Sequence, residues 1–132
     1  MTLSQIQNLV DLGMFPNALE ALKQLPEDLQ QSALTQRLRL RTLAAMGQWD
    51  AAAPIADVLR HGNELDREEA AACFQSLAAQ HFNHGRLDQA HNLLRKAIGT
   101  QPDRRQLILQ DKRFTGKFVK PFALQDPDAM AS

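Results

Sequence analysis

The sequence predicts an all-α fold built from stacked helix pairs, and three observations predict it. The first is a recurring six-residue phrase: Gly13-Met14-Phe15-Pro16-Asn17-Ala18, Gly47-Gln48-Trp49-Asp50-Ala51-Ala52 and Gly85-Arg86-Leu87-Asp88-Gln89-Ala90. Each reads Gly, any residue, a large apolar residue, a helix-starting residue, any residue, Ala. The second is spacing. Gly13 and Gly47 are 34 residues apart and Gly47 and Gly85 are 38 apart, and recurrence on this scale marks a stacked helical repeat. The third is composition. Apolar residues make up 44% of the chain, led by Leu and Ala, with no Tyr. Val and Ile are scarce, which argues against a sheet.

The elements follow in order. A first helix is expected over residues 4–12. A second begins near Pro16, a favoured residue in the first helical turn, and ends before Pro26. A third covers residues 28–46. A fourth starts at an Asp50 cap and runs to residue 60, with Gly62 as its stop; Pro54 removes one early backbone bond. Asp66 and Glu69 suit a capping box for a fifth helix, which runs to about Asn83. A sixth spans residues 88–98, with Asp88 as its cap and Pro102 as its stop. A seventh spans residues 103–113. Residues 115–132 contain Gly116, Pro121 and Pro127, lack helical periodicity, and read as a partly ordered tail. The expected organisation is an array over residues 1–114 and a tail over 115–132.

The third unit carries a family resemblance. Phe74, Leu77, Ala78, His81, Ala90, Leu94, Ala97 and Pro102 fall on the spacing of the tetratricopeptide pattern. Small residues occupy the positions of closest helix approach, and Phe74, Leu77 and Leu94 fill the gaps. The chain therefore resembles the tetratricopeptide repeat family. The resemblance implies a right-handed solenoid of about three helix pairs plus a C-terminal capping helix. It also implies that the first helix of each unit lines a concave, partner-holding groove.

By that resemblance the inward positions include Gln7 and Asp11 in the first unit, Arg37 and Arg41 in the second, and Gln75, Phe82 and Asn83 in the third. Arg37 and Arg41 are one turn apart on one face and suit a forked grip on a partner's carboxylate. The competing reading is a solvated face, and the alternation of Arg37, Arg39 and Arg41 sharpens it. The clamp by which some family members hold acidic chaperone tails is absent, because Leu3, Gln7, Leu38, Ala72 and Ser76 stand at its positions.

Other constellations are weaker. His81 and His84 are three apart, but no carboxylate or thiol completes a metal-binding spacing. Cys73 and His81 lie eight residues apart on one helix, about 12 Å along its axis, too far for a nucleophile and its base. Cys73 and Trp49 read as core. No phosphate loop, dinucleotide fingerprint or nucleophile elbow is present. No catalytic residue, metal or cofactor is expected.

Net charge is zero, yet it is unevenly spread. Residues 95–120 hold eight basic side chains against Asp103 and Asp111, while residues 1–94 hold seven basic and eleven acidic ones. With Phe114, Phe118 and Phe122 interleaved, this basic end suits a nucleic acid or an anionic surface. The preferred reading is that the phenylalanines close the helical stack. No apolar run approaches the ~20 residues that span a bilayer, and the N-terminus lacks a secretory pattern. One cysteine fits a reducing compartment, so a cytoplasmic location is expected. The expected function is a non-enzymatic interaction module or small chaperone that binds a peptide or helix of another protein. The alternative is a nucleic-acid or anionic-surface binder acting through the basic end.

Overall fold

The computed structural model describes residues 1–123. Among them every regular element is helical. The chain divides into two compact units, unit one at Met1–Cys73 and unit two at Phe74–Ser132. The part of the expected tail beyond residue 123 lies outside the described residues.

Unit one begins with α1 (Leu3–Asp11) and α2 (Phe15–Lys23). Thr2 and Gln5 form a reciprocal cap on α1: the Gln5 amide donates to Thr2 Oγ1 at 3.2 Å, and the Thr2 amide donates to Gln5 Oε1 at 2.8 Å. The single helix expected over residues 28–46 is in fact two, α3 (Glu27–Gln30) and α4 (Ala33–Ala45). Ser32 causes the break. Its hydroxyl accepts from the Thr35 amide, and this local cap competes with continuation of α3. The Gln30 amide nitrogen then closes the end of α2, donating to the Leu22 and Leu25 carbonyls at 2.9 Å each.

Next come α5 (Trp49–Leu59) and α6 (Glu64–Asn83), which supplies residues to both units. Helix α4 packs against α1, α2, α3 and α5, which is why Thr35, Leu38, Leu40, Thr42 and Leu43 are all buried. Thr42 satisfies its hydroxyl on the Leu38 carbonyl at 2.7 Å. The core here is aliphatic: Ile6, Val10, Ala18, Leu22, Leu25 and Leu38, flanked by Leu3, Leu9 and Phe15.

Unit two contains the rest of α6, then α7 (Leu87–Thr100), a 3-10 turn at Pro102–Arg104, α8 (Arg105–Leu109) and α9 (Gly116–Ala123). The helix expected over 103–113 is shorter than foreseen, and α9 was not foreseen. Gly116 and Pro121 argue against a helix locally. Burial of Phe118, Val119 and Phe122 outweighs them, and Thr115 caps the start by accepting from the Phe118 amide at 3.2 Å. This core is aromatic. Phe82 lies 5.6 Å from Phe114 and 4.6 Å from Phe118, ring centre to ring centre, and His91 stacks on Phe118 at 4.0 Å.

The recurring turn takes one geometry three times. Gly13, Gly47 and Gly85 have φ of 76°, 71° and 76°, a left-handed conformation in which a Cβ is disfavoured. Each glycine amide donates to the carbonyl three residues back: Val10, Ala44 or Phe82. The following residue, Met14, Gln48 or Arg86, donates to the carbonyl five back. This pair of bonds closes α1, α4 and α6 alike. In each case the hexad's last residue, Ala18, Ala52 or Ala90, has no exposed surface. The next helix starts one residue earlier than the expected acidic caps. Gln48 and Arg86 hold the cap positions and make no side-chain bond there, so Asp50 and Asp88 lie in the first turn. Trp49 is half-buried and not a core residue.

Candidate partner-binding cleft

The sequence-predicted residues separate by unit. In unit one, Gln7 on α1 and Arg37 and Arg41 on α4 line one cleft of about 220 Å³, with Leu34, Leu38, Leu65, Glu68 and Glu69. Asp11 stands beside it, 3.4 Å from Arg41.

Neither arginine is a free cation. Arg37 donates to Asp66 Oδ1 at 2.6 Å, with 17% and 9% of the two side chains exposed. Arg41 donates to Glu69 Oε1 at 2.6 Å and reaches Asp11 Oδ1 at 3.4 Å. Arg39, as its alternation requires, turns the other way. It donates to the Gln30 carbonyl at 3.3 Å and to Gln36 Oε1 at 2.8 Å, and burial lowers its pKa.

Asp66 also corrects the expected capping box, which sits three residues earlier than foreseen. The Asn63 amide donates to Asp66 Oδ2 at 3.1 Å, and the Asp66 amide donates to Asn63 Oδ1 at 2.9 Å. A buried carboxylate thus caps α6 and holds Arg37 at once. Gly62 makes room for it, since a Cβ there would lie 2.3 Å from Asp66 Oδ2. Glu68 and Glu69 of the cleft, and Asp66 that holds Arg37, are not among the sequence-predicted residues. No local spacing signals them, because Arg37 and Asp66 are 29 residues apart and Arg41 and Glu69 are 28 apart.

In unit two, two of the three predicted groove positions are taken up internally. Gln75 is buried; its amide nitrogen donates to Asp111 Oδ2 at 2.8 Å, and its carbonyl accepts from Arg104 at 3.2 Å. Phe82 is half-buried among Phe114 and Phe118. Asn83, the last residue of α6, is exposed. Burial pushes the Asp111 carboxyl up. Hydrogen bonds from the Arg113 side chain and main chain and from Gln75, with the Arg113 charge, outweigh that and hold it below the usual carboxylate value.

The basic end is accordingly reduced as a surface. Arg104 is buried, Arg113 is committed to Asp111 at 2.7 Å, and the Lys96 ammonium sits 4.8 Å over the Phe74 ring. Arg95, Lys112, Lys117 and Lys120 remain exposed. Phe114, Phe118 and Phe122 are all buried, so they pack the end of the chain.

The remaining reactive side chains are quiet. Cys73 is buried; that burial, with Asp57 and Glu69 nearby, pushes its thiol up to about 11, so it is neutral at pH 7. His81 accepts from Arg86 Nε at Nδ1, 2.7 Å away. Burial, then Arg86 and His84, lower its pKa. Among the described residues no group of three or more His, Cys, Asp or Glu is placed to hold a metal ion, and no helix is long and apolar enough to cross a membrane. No protein-family model matches the chain, and neither a curated protein nor a solved structure matches it.

Proposed function

We propose that the chain is a right-handed, tetratricopeptide-type repeat array. In this reading it binds a peptide or helix of another protein and performs no chemistry of its own. The observation that carries the reading is the threefold recurrence of one turn, with left-handed Gly13, Gly47 and Gly85 and fully buried Ala18, Ala52 and Ala90. Repeats of this kind stack to present a surface to other proteins. The unit one cleft is the binding site, since it brings Gln7, Arg37 and Arg41 together while Gln75 and Phe82 of unit two are already engaged. A buried, neutral Cys73 suits a reducing compartment such as the cytoplasm.

The test is a photo-crosslinking residue at Leu65, which lines the cleft and is 57% exposed. The control position is Leu107 of unit two, 53% exposed. A discrete adduct from Leu65 and none from Leu107 is the expected result in cells that make the protein. Equal labelling at both positions would remove the cleft from consideration.

A further inference from the structure

The two arginines conceal the sign of the cleft's charge. The geometry points to a lysine- or arginine-bearing amphipathic helix of a partner protein as its occupant, and not to an acidic segment. This inference rests on the partner-binding reading above and supplies the partner's chemistry.

Four carboxylates stand around two guanidiniums. Asp66 holds Arg37 at 2.6 Å, and Glu69 and Asp11 flank Arg41 at 2.6 and 3.4 Å. An incoming carboxylate therefore meets guanidiniums whose charge is already balanced by internal carboxylates, so its net attraction is small. Glu68 is the fourth carboxylate. It lines the cleft, is exposed, and has no cation against it among the described residues. Asp11 is 53% exposed and only at the edge of contact with Arg41, so it too can accept a second donor. Opposite charges attract more strongly in a partly dry cleft than in bulk water. The surroundings reinforce the sign, since unit one as a whole carries ten acidic and six basic side chains.

Part of the cleft wall is apolar. Leu34, Leu38 and Leu65 line it, and Leu65 is largely exposed. A long basic side chain fits this pattern, with its methylene stem on leucine and its head at a carboxylate. Size then selects the kind of ligand. The cleft's 220 Å³ falls below the roughly 300–1,000 Å³ usual for small-molecule sites. It holds a side chain or two of a larger body, as a helix presents when it lays anchors at i and i+4 into a groove.

The experiment uses the full chain and two synthetic helical peptides of about 16 residues. Both carry the same leucine stripe; one is flanked by Lys and the other by Glu. Binding is read from amide chemical shifts and fluorescence polarisation at about 20 mM and about 300 mM salt, where screening differs severalfold. The Lys peptide should shift amides around Arg37, Leu65 and Glu68, bind about tenfold tighter than the Glu peptide, and weaken in high salt. Glu68→Gln, an exposed change that spares the internal ion pairs, should weaken the Lys peptide about threefold or more. Glu68→Lys should narrow or reverse the preference.

Tighter binding of the Glu peptide at the same amides overturns the charge assignment and leaves the cleft as a partner site. Failure of both peptides to move those amides overturns the assignment and the cleft reading together. A Glu68-dependent dimer in sedimentation, with no peptide present, overturns the separate partner in favour of a second copy.

Discussion

Unit one carries six basic and ten acidic side chains, and unit two carries nine and five, so a neutral chain is a −4 unit followed by a +4 unit. Their interiors differ as sharply. Unit one is filled by Ile, Val, Leu and Ala around α4, whereas unit two is filled by Phe74, Phe114, Phe118 and Phe122. Yet both use the same left-handed glycine turn and the same buried alanine. The turn fixes how two consecutive helices meet. The side chains beyond it decide whether a face stays open. In unit one, ion pairs hold α4 and α6 beside a cleft that remains accessible. In unit two, Phe114 and Phe118 lie on Phe82.

Four measurements can break or sharpen this contrast. The largest effect belongs to the aromatic core. Phe122, 1% exposed on a short helix with little intrinsic stability, should cost about 3–5 kcal/mol when replaced by alanine. Denaturant unfolding followed by circular dichroism measures it. The lone Trp49 lies in unit one, so its emission, tracked in parallel, reports that unit separately. A loss under about 1 kcal/mol would mean that α9 is dispensable to unit two.

Asp66→Ala comes next, at about 3 kcal/mol, because it strands Arg37 and uncaps α6 together. Gly62→Ala should move stability the same way, since its Cβ collides with that carboxylate. Wild-type stability in both variants would leave the ion pair of unit one without structural weight.

Ala52→Leu in unit one and Ala90→Leu in unit two should each cost about 1–3 kcal/mol by overpacking. Both alanines have no exposed surface, so similar penalties would mark the turn as the shared element. A penalty in one unit alone would break the equivalence of the two turns.

The smallest effect is an acid-side pH dependence from two groups of unit two. His81 has a lowered pKa in the fold, so the folded state binds its proton less readily than the unfolded chain. Its contribution is complete above the ordinary value near 6.5 and is lost as pH falls through the folded value. Asp111 is also depressed, and its contribution is present above about pH 4 and lost below it. His81→Gln should flatten the stability profile as pH falls below about 6.5. An unchanged slope there would assign that acid sensitivity elsewhere.

The three hexads already determined the helix pairs and the turns between them. Their signal is local: a glycine that can take positive φ and an alanine that admits a neighbouring helix act within a few residues of chain. Composition determined the all-helical class for a similar reason, since scarce β-branched residues disfavour strands anywhere. Four features lay beyond local reading. Ser32 divided a helix that periodicity ran together. Helix α9 forms despite Gly116 and Pro121, because Phe118, Val119 and Phe122 are buried along it. Leu107 and Ile108 are adjacent apolar residues on α8, and packing alone makes Ile108 the buried one. Arg37 and Arg41 line one cleft, but their partners Asp66 and Glu69 lie nearly thirty residues away. A sequence displays charges without their pairing, and pairing depends on distances that only the packed chain fixes. The tertiary structure therefore decided that the cleft's cations are already held, and with that the sign of charge it presents.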